Sequence, residues 1–315
     1  MASSQPIKKV LLVGAHGAVG KVILEALVQA ACFEISVLRR STSASPIAAA
    51  GISQINVLPD MSLDELTAAC AGQDAVIAAF NLRDVSQHLR LVEAASGAGV
   101  KRYIPADYGS CDAASPRAQH RLKLYRDKTL VREKCESLAE KATREGGPFS
   151  WTSIICGHFF DHGLHDGLLH FDLGAHKAQI LDDGNIKASA STLARVAEAV
   201  VRVLQRAAAT RNRAVFVQSF CPTQLEILAS LERATANKWR TQHLDSNAFL
   251  DRQSRRLADG HHDATEEIVF VLGTVDADWT HKDGFAMDLL GLENENLDEV
   301  VAAVVADHAK RKVSS

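Results

Sequence analysis

A glycine-rich turn between an apolar strand and a helix constrains the fold of this 315-residue chain more than any other feature. The run KVLLVG at 9–14 predicts a buried parallel strand, and AVGKVILEAL after it has the apolar spacing of a helix. The glycines are spaced GxxGxxG, which in a dinucleotide-binding turn permits a tight bend and lets a pyrophosphate approach the backbone. A tight turn without a ligand is the alternative, but three glycines so placed favour a phosphate site. The residues expected to bind phosphate at the helix N-terminus are Gly14, His16, Gly17, Ala18, Val19 and Gly20.

Strand and helix patterns alternate through the first half of the chain. Short apolar runs predict strands at 9–14, 34–40, 55–58, 74–80, 100–106 and 149–156. Helical spacing separates them and includes a long helix from about Gln119 to Glu145. Alternation of this kind predicts an α/β fold, a Rossmann doubly wound parallel sheet with helices on both faces. We expect a dinucleotide-binding domain at 1–156. The less regular part at 157–315 should be mainly a smaller C-terminal substrate-binding lobe, with some segments returning to the Rossmann sheet.

The end of the second predicted strand indicates which dinucleotide is bound. NAD-specific sites have Asp or Glu there, to accept a hydrogen bond from the ribose 2′-hydroxyl. This chain has Arg39, Arg40 and Ser41 instead, and guanidinium groups suit a 2′-phosphate. Two solvated arginines are the alternative, but the absence of an acidic residue favours NADP(H) as the cofactor of the first domain.

Side chains at the carboxyl ends of the predicted strands are the next candidates, because ligands of open α/β sheets bind there. The expected cofactor contacts after the fourth and fifth strands are Phe80, Asn81 and Asp107. The expected substrate contacts are Tyr108, His158, Phe159 and Phe160. We expect the two phenylalanines to form an apolar wall for an aromatic substrate.

One lysine, Lys128, interrupts the apolar stripe of the long helix. The other positions on this stripe are Leu124, Val131, Cys135, Leu138 and Ala142. The remaining charged residues of LYRDKTLVREK (124–134) are expected on the solvated surface. Neither a Tyr-x-x-x-Lys motif nor a zinc-binding cysteine and histidine spacing occurs, so Lys128 is the leading proton donor and a further cofactor contact. A lysine that snorkels from the edge of the stripe is the alternative.

Five stretches of the chain resemble the NmrA-like or isoflavone reductase-like family of atypical short-chain dehydrogenases, which includes phenylcoumaran benzylic ether reductases. The matching stretches are VGAHGAVGK (13–21), LRRST (38–42), VKRYIPADYGS (100–110), KTLVRE (128–133) and WTSIICGHFFD (151–161). The stretches PADYGS and GHFFD resemble the sequences of fungal members more than those of plant members. The resemblance implies a Rossmann fold, NADP(H) and a helix lysine as general acid/base, which in this chain is Lys128.

These observations together predict an NADPH-dependent reductase of an aromatic or polyketide-like small molecule in secondary metabolism. Hydride would come from NADPH, and Lys128 would protonate the developing oxyanion or withdraw a proton. Two alternatives stay open. One is a non-catalytic, NADP(H)-sensing regulatory protein of the NmrA type, and the other is a redox-neutral isomerase or cyclase that uses the same pocket.

Composition excludes several other classes of protein. The formal net charge of −3 gives no basic surface for nucleic acid or for acidic membranes, and no apolar run is long enough to cross a bilayer. The six scattered cysteines lack a CxxC pair and are expected to be free thiols in a reducing compartment. We expect no secretory signal before the first strand. The protein should therefore be cytoplasmic. We expect it to be a monomer or homodimer that binds a small aromatic molecule and that binds neither nucleic acid nor membranes.

A group of histidines in HFFDHGLHDGLLH (158–170) is the one stretch that suggests a metal. His158, His162 and His165 follow helical spacing, and Asp161 and Asp166 flank them. Such a face can hold zinc. Glycines weaken the helix that would present it and no cysteine completes a site, so no metal is expected.

Overall fold

The computed structural model describes residues 6–42, 51–57 and 59–314, so Leu58, predicted to end the third strand, lies outside the described residues. The strands are β1 (Lys9–Val13), β2 (Glu34–Arg40), β3 (Ser53–Val57), β4 (Ala75–Ala78), β5 (Arg102–Ile104), β6 (Thr152–Ile155), β7 (His158–Phe159), β8 (Phe171–Asp172), β9 (Lys177–Leu181), β10 (Ala190–Ser191), β11 (Arg213–Phe216) and β12 (Arg240–Leu244). The helices are α1 (Ala18–Ala30), α2 (Leu63–Cys70), α3 (Val85–Gly97), α4 (Pro116–Arg121), α5 (Lys123–Glu145), α6 (Phe160–His165), α7 (Leu193–Gln205), α8 (Gln224–Thr235), α9 (Ser246–Ala258), α10 (Ala264–Val275), α11 (Met287–Leu290) and α12 (Leu297–Ser314).

A parallel sheet lies at the centre of the fold, in the order β3-β2-β1-β4-β5. It continues beyond β5, because Tyr103 forms a parallel bridge with Trp151 and β6 pairs in parallel with β11. The two middle strands, KVLLV and AVIA, are apolar and almost wholly buried, as strands covered on both faces must be. The predicted α/β Rossmann fold is confirmed.

Two segments from the second half of the chain belong to this sheet layer. β11 extends the sheet, and α7 packs against α1. The residues that join the two helices in one core include Ile23, Leu27, Val196 and Val200. Thr192 caps α7 by accepting a hydrogen bond from the backbone N–H of Arg195, as the sequence predicts for Ser191 or Thr192.

The segments of β8, β9, β12, α6, α8 and α12 form a smaller lobe with its own core. Its three-stranded sheet has the order β12-β9-β8, with β12 parallel and β8 antiparallel to β9. Its apolar centre includes Phe160, Leu164, Ile180, Leu231 and Val301. No helix within the described ranges is both long enough and apolar enough to cross a bilayer.

The long helix predicted from Gln119 to Glu145 is two helices, α4 and α5. Leu122 breaks it, because its backbone is extended (φ −134°, ψ 134°) while its side chain is buried in the core that α9 and α10 share. The predicted solvated surface of α5 is also wrong at two positions. Asp127 and Arg132 are buried, and each pairs with an opposite charge, Lys123 and Asp107 respectively.

Candidate active site

The glycine loop between β1 and α1 is shaped by backbone contacts at its first and last glycines. Gly14 has φ +96°, and a Cβ there would collide with the carbonyl oxygen of Ala79 at the end of β4. A Cβ on Gly20 would collide with the carbonyl oxygen of Gly14. A Cβ on Gly17 would lie 3.6 Å from its nearest neighbour, which is ordinary contact. The fold itself therefore excludes any side chain at the first and third glycines. It would tolerate a methyl group at the middle glycine.

The middle glycine is the N-cap residue of α1. His16, Gly17 and Ala18 are exposed, and Val19 is half-buried. A helix N-terminus with an exposed backbone offers N–H groups and a partial positive charge to an anion. The loop therefore has the form of a pyrophosphate cradle.

The residues expected to select NADP lie at the end of β2, beside this loop. Arg39 is half-buried, and its Nη1 donates to Oε1 of Gln54 over 2.8 Å. Arg40 and Ser41 are exposed, and the backbone N–H of Ser41 donates to Val57 over 2.7 Å. The structure thus places these three side chains at the carboxyl end of β2.

The end of β4 leads into Phe80 and Asn81, and a buried histidine of α3 lies beneath them. The ring of His88 stacks on that of Phe80, with centroids 3.9 Å apart and planes at 15°. Nε2 of His88 lies 3.3 Å from the carbonyl oxygen of Asn81. Burial lowers the pKa of His88 to about 4, so the imidazole is neutral near pH 7. Sequence reasoning missed this residue, although it shares helical spacing with the buried Leu91 and Val92.

Lys128 points inward from α5 at the same edge of the sheet. Its Nζ donates to the backbone carbonyl oxygen of Asp107 over 2.5 Å and lies 3.9 Å from the carboxylate Oδ1 of that residue. The side chain is only 11% exposed. It lines a small cleft together with Leu82, His88, Pro105, Ala106, Asp107 and Val131. The amine is therefore held beyond the ends of β4 and β5 and does not extend into bulk solvent.

Asp107, expected from the sequence to contact the cofactor, directs its carboxylate into the protein. Oδ2 accepts from Nη2 of Arg132 over 2.6 Å and from the hydroxyl of Ser153. Burial alone would raise the pKa of Asp107, but the charges of Arg132 and Lys128 and the two hydrogen bonds hold it below its usual value. The carboxylate is thus kept ionised between two cations. Arg132, four residues after Lys128 on α5, is a second residue that the sequence reasoning missed.

Tyr108, expected to contact the substrate, lies instead in the interior. Its ring belongs to the core that contains Ile154 and Val217, and its hydroxyl is buried. Burial raises the pKa of this hydroxyl well above its usual value. The backbone of Tyr108 is left-handed, with φ +38°, which turns the ring away from the sheet edge.

The two phenylalanines expected to form one wall diverge. Phe159 packs against the core between the sheet and α7, whereas Phe160 is fully buried in the core of the smaller lobe. The chain changes from strand to helix between them, since Phe159 ends β7 and Phe160 begins α6. Phe160 and His158 do line one cavity, which also includes Phe171 and Phe270.

The three histidines at 158, 162 and 165 do not converge. His158 bonds to the backbone of α10, while His162 and His165 both pair with Asp166. Within the described part of the chain, no group of three His, Cys, Asp or Glu side chains is arranged to hold a metal ion.

Known proteins share both the sequence and the fold. The oxidoreductase poxI of Penicillium oxalicum is 31% identical over 300 residues, which cover 92% of this chain and 92% of poxI. The solved structure described as "AtPrR2 with NADP+ and (+)pinoresinol" has a TM-score of 0.75 at 20% identity, covering 96% of this chain and 99% of its own. A crystal structure of isoflavone reductase has a TM-score of 0.72 at 20% identity, covering 94% and 99%. The NmrA-like family model matches residues 6–303, and with the similarity to poxI this match shows that the chain belongs to the NmrA-like family.

Proposed function

We propose that this chain is an NADPH-dependent oxidoreductase that reduces an aromatic or polyketide-like small molecule, with Lys128 as the general acid/base. The observation that carries the proposal is the position of the Lys128 amine. It is nearly buried, it lies at the carboxyl edge of a sheet that begins with a glycine-rich phosphate loop, and it lines a cleft. Ligands of such sheets bind beyond this edge.

The residues at the sheet edge fit the parts of NADP(H). Gly17 and the N-terminus of α1 would hold the pyrophosphate, and Arg39, Arg40 and Ser41 would hold the 2′-phosphate. The turn at Phe80 and Asn81, supported from below by His88, would lie near the nicotinamide end. When bound, NADPH supplies a hydride to an electrophilic carbon of the substrate.

The surroundings of Lys128 suit proton transfer to an oxygen atom. Two acceptors of Asp107, its carbonyl oxygen and its carboxylate, lie near the amine of Lys128 and fix its position. An ammonium group has three N–H donors, so it can bind the substrate oxygen while it keeps these contacts. Donation of one proton neutralises the oxyanion that forms as hydride arrives.

The relatives support the chemistry and the class of substrate. The fungal relatives poxI and aprR are named oxidoreductases, and one structural neighbour holds NADP+ and pinoresinol, an aromatic compound. In this proposal the smaller lobe after residue 156, apart from α7 and β11, binds the substrate. The cysteines within the described residues are free thiols, and we expect the enzyme to work in the cytosol.

Replacement of Lys128 by Met tests the proposal. With NADPH and a panel of enones, quinones and benzylic ethers, the wild type should consume NADPH with at least one substrate. Lys128→Met should lower that rate by about 10²–10⁴-fold, the usual contribution of a general acid, while NADPH binding, followed by its fluorescence, persists.

The matched control is Lys134→Met, on the same helix. Lys134 pairs with Glu93 at the surface, 3.2 Å away, so its replacement should leave the rate unchanged. Near-normal turnover by Lys128→Met would refute its catalytic role. NADPH binding by the wild type without consumption of any substrate would instead support a sensor, and conversion of substrate without net consumption would support an isomerase.

A further inference from the structure

The turn after β2 carries one hydroxyl that the proposed function leaves unused, that of Thr42. This residue directly follows Arg39, Arg40 and Ser41, and it is exposed. The pattern of two arginines, any residue and then Ser or Thr occurs once in the chain, and Thr42 is its last position. Protein kinases of the basophilic class select such sequences, because carboxylates in their substrate cleft bind the two guanidinium groups that precede the acceptor hydroxyl. The sequence around Thr42 therefore has the pattern of a phosphorylation site.

The strand next to the two arginines brings no negative charge to them. Arg40 is exposed, and Arg39 is half-buried with its Nη1 2.8 Å from the uncharged Oε1 of Gln54. The neighbouring strand β3 pairs Asn56 with Arg39 and Val57 with Arg40, and its sequence, SQINV, contains no carboxylate. A phosphate at this turn therefore meets positive charge that β3 does not neutralise.

We infer that Thr42 is a phosphorylation site that controls the binding of NADP(H). The kinase transfers the γ-phosphoryl group of ATP to Oγ1 of Thr42. The bond between the γ-phosphorus and the oxygen that stays on ADP breaks, a bond from phosphorus to Oγ1 forms, and the hydroxyl proton is released. The inference rests on the proposed function in one respect, because it takes Arg39 and Arg40 as the groups that bind the 2′-phosphate of the cofactor.

A phosphate on Thr42 competes with the cofactor for the same guanidinium groups. It carries a charge of about −1.5 to −2 at pH 7 and three acceptor oxygens. Residues two apart have Cα atoms at most about 7.6 Å apart, so the phosphate lies within reach of the long side chain of Arg40. Because it is attached to the chain, its effective concentration at the arginines is of about millimolar order or higher. The modified protein should therefore bind NADPH weakly, since the arginines are occupied and the two phosphates repel each other.

Treatment of the cofactor-free protein with ATP and the catalytic subunit of cyclic-AMP-dependent protein kinase, a basophilic kinase, tests the inference. Mass spectrometry should locate the phosphate on Thr42. Titration of the modified protein should show about 10- to 100-fold weaker binding of NADPH, because the charge-assisted contacts to the 2′-phosphate are lost. NADH, which has no 2′-phosphate, should bind the modified and unmodified proteins with nearly equal affinity. Failure of the kinase to modify Thr42, unchanged binding of NADPH, or an equal loss for both dinucleotides would overturn the inference.

The competition must also act in the reverse direction, because the coupling between two binding events is reciprocal. NADP+ at about ten times its dissociation constant should slow the phosphorylation of Thr42 about 10-fold, since only the cofactor-free fraction is a substrate of the kinase. NAD+ at the same concentration should protect much less. The control for a direct effect on the kinase is the synthetic peptide SVLRRSTSAS (36–45), whose phosphorylation NADP+ should not slow. Modification of Thr42 at the full rate in the NADP+-loaded protein would also overturn the inference.

Three variants at Thr42 supply matched controls. Thr42→Val cannot be modified at this position and should bind NADPH as the wild type does. Thr42→Glu adds one negative charge and should weaken the binding of NADPH more than Thr42→Gln, which has the same size and no charge. Equal affinity of the Glu and Gln variants for NADPH would show that a charge at this position does not act on the cofactor site, and would overturn the inference.

None of these measurements requires turnover, so their outcomes are separate from those that test the proposed function. A protein that loses affinity for NADPH on phosphorylation yet reduces no substrate would refute the proposed function and leave this inference intact. A reductase that depends on Lys128 but is not modified at Thr42 would refute this inference alone.

Discussion

Lys128 and Asp107 are joined at two points, by the 2.5 Å hydrogen bond from Nζ to the backbone carbonyl and by the 3.9 Å approach of Nζ to Oδ1. The other carboxylate oxygen of Asp107 is taken by Arg132, which lies one helical turn beyond Lys128. One buried anion thus serves two cations on the same face of α5. Arg132 extends this network through Asp112, at 3.4 Å, to Lys282, which lies 3.1 Å from the other oxygen of Asp112.

Arg132→Met should destabilise the protein by about 3 kcal/mol, because it leaves the buried Asp107 carboxylate without its closest cation. Asp107→Asn should be costly for the complementary reason. The double variant should cost clearly less than the two single effects added together. Urea unfolding at pH 7.5 measures all three, with Arg126→Met on the exposed side of the helix as the control. Strict additivity would show that the two side chains do not depend on each other.

Gly17→Ala should lose affinity for NADPH and Gly20→Ala should lose stability, although the substitution is the same. At Gly17 a methyl group meets only ordinary contacts within the protein, so the variant should fold and should lose affinity for NADPH. At Gly20 the methyl group collides with the backbone of Gly14, so the variant should lose stability. Thermal unfolding together with NADPH titration separates the two effects. Normal NADPH affinity in Gly17→Ala would argue against a phosphate at this loop.

Arg39→Ala should weaken binding of NADPH by about 10- to 100-fold and leave binding of NADH nearly unchanged. The reason is that a charge-assisted hydrogen bond to the 2′-phosphate contributes about 1.5–3 kcal/mol, and NADH has no such group. The ratio of the two dissociation constants is the measurement, and Arg213→Ala, an exposed arginine at the start of β11 and so at the opposite edge of the sheet, is the control. An equal loss of affinity for both dinucleotides would mean that Arg39 supports the fold and does not bind the 2′-phosphate.

The buried His88 should make the protein less stable in acid. Its pKa is about 4 in the folded protein and near 6.5 when unfolded, so between these values the unfolded chain binds more protons. Stability therefore falls as the pH drops from 6.5 toward 4, by about 2 kcal/mol at pH 5 for this one group. His88→Phe, which keeps the stack on Phe80, should lose that much less stability between pH 7.5 and 5. Some slope should remain, because His158 has the same shift. Identical pH profiles for the variant and the wild type would contradict this account.

Local patterns in the sequence predicted the elements and the features that act over short distances. The spacing of Gly14, Gly17 and Gly20 identified the turn, and the 3.6-residue period of α5 identified Lys128 as inward-facing. Arg132 was within reach of the same reasoning, because a residue four positions from Lys128 lies on the same face. It was missed because a buried arginine needs a partner, and that partner, Asp107, is far away in the chain.

Features that depend on contacts between residues far apart in the sequence could not be predicted from local patterns. Tyr108 follows a predicted strand and was expected at its open end. Its backbone is left-handed, and the carbonyl of the next residue, Gly109, accepts hydrogen bonds from the backbone N–H groups of Cys156 and Gly157, which lie almost fifty residues later. The break at Leu122 likewise depends on a core formed with α9 and α10, more than a hundred residues later.

The return of α7 and β11 to the sheet has a consequence for attempts to engineer the protein. A fragment ending at residue 156 would expose the edge of β6 and strip the apolar cover from α1, so we expect it to aggregate. Exchange of the smaller lobe between relatives therefore requires several separate grafts, with α7 and β11 left in place as the support of the sheet.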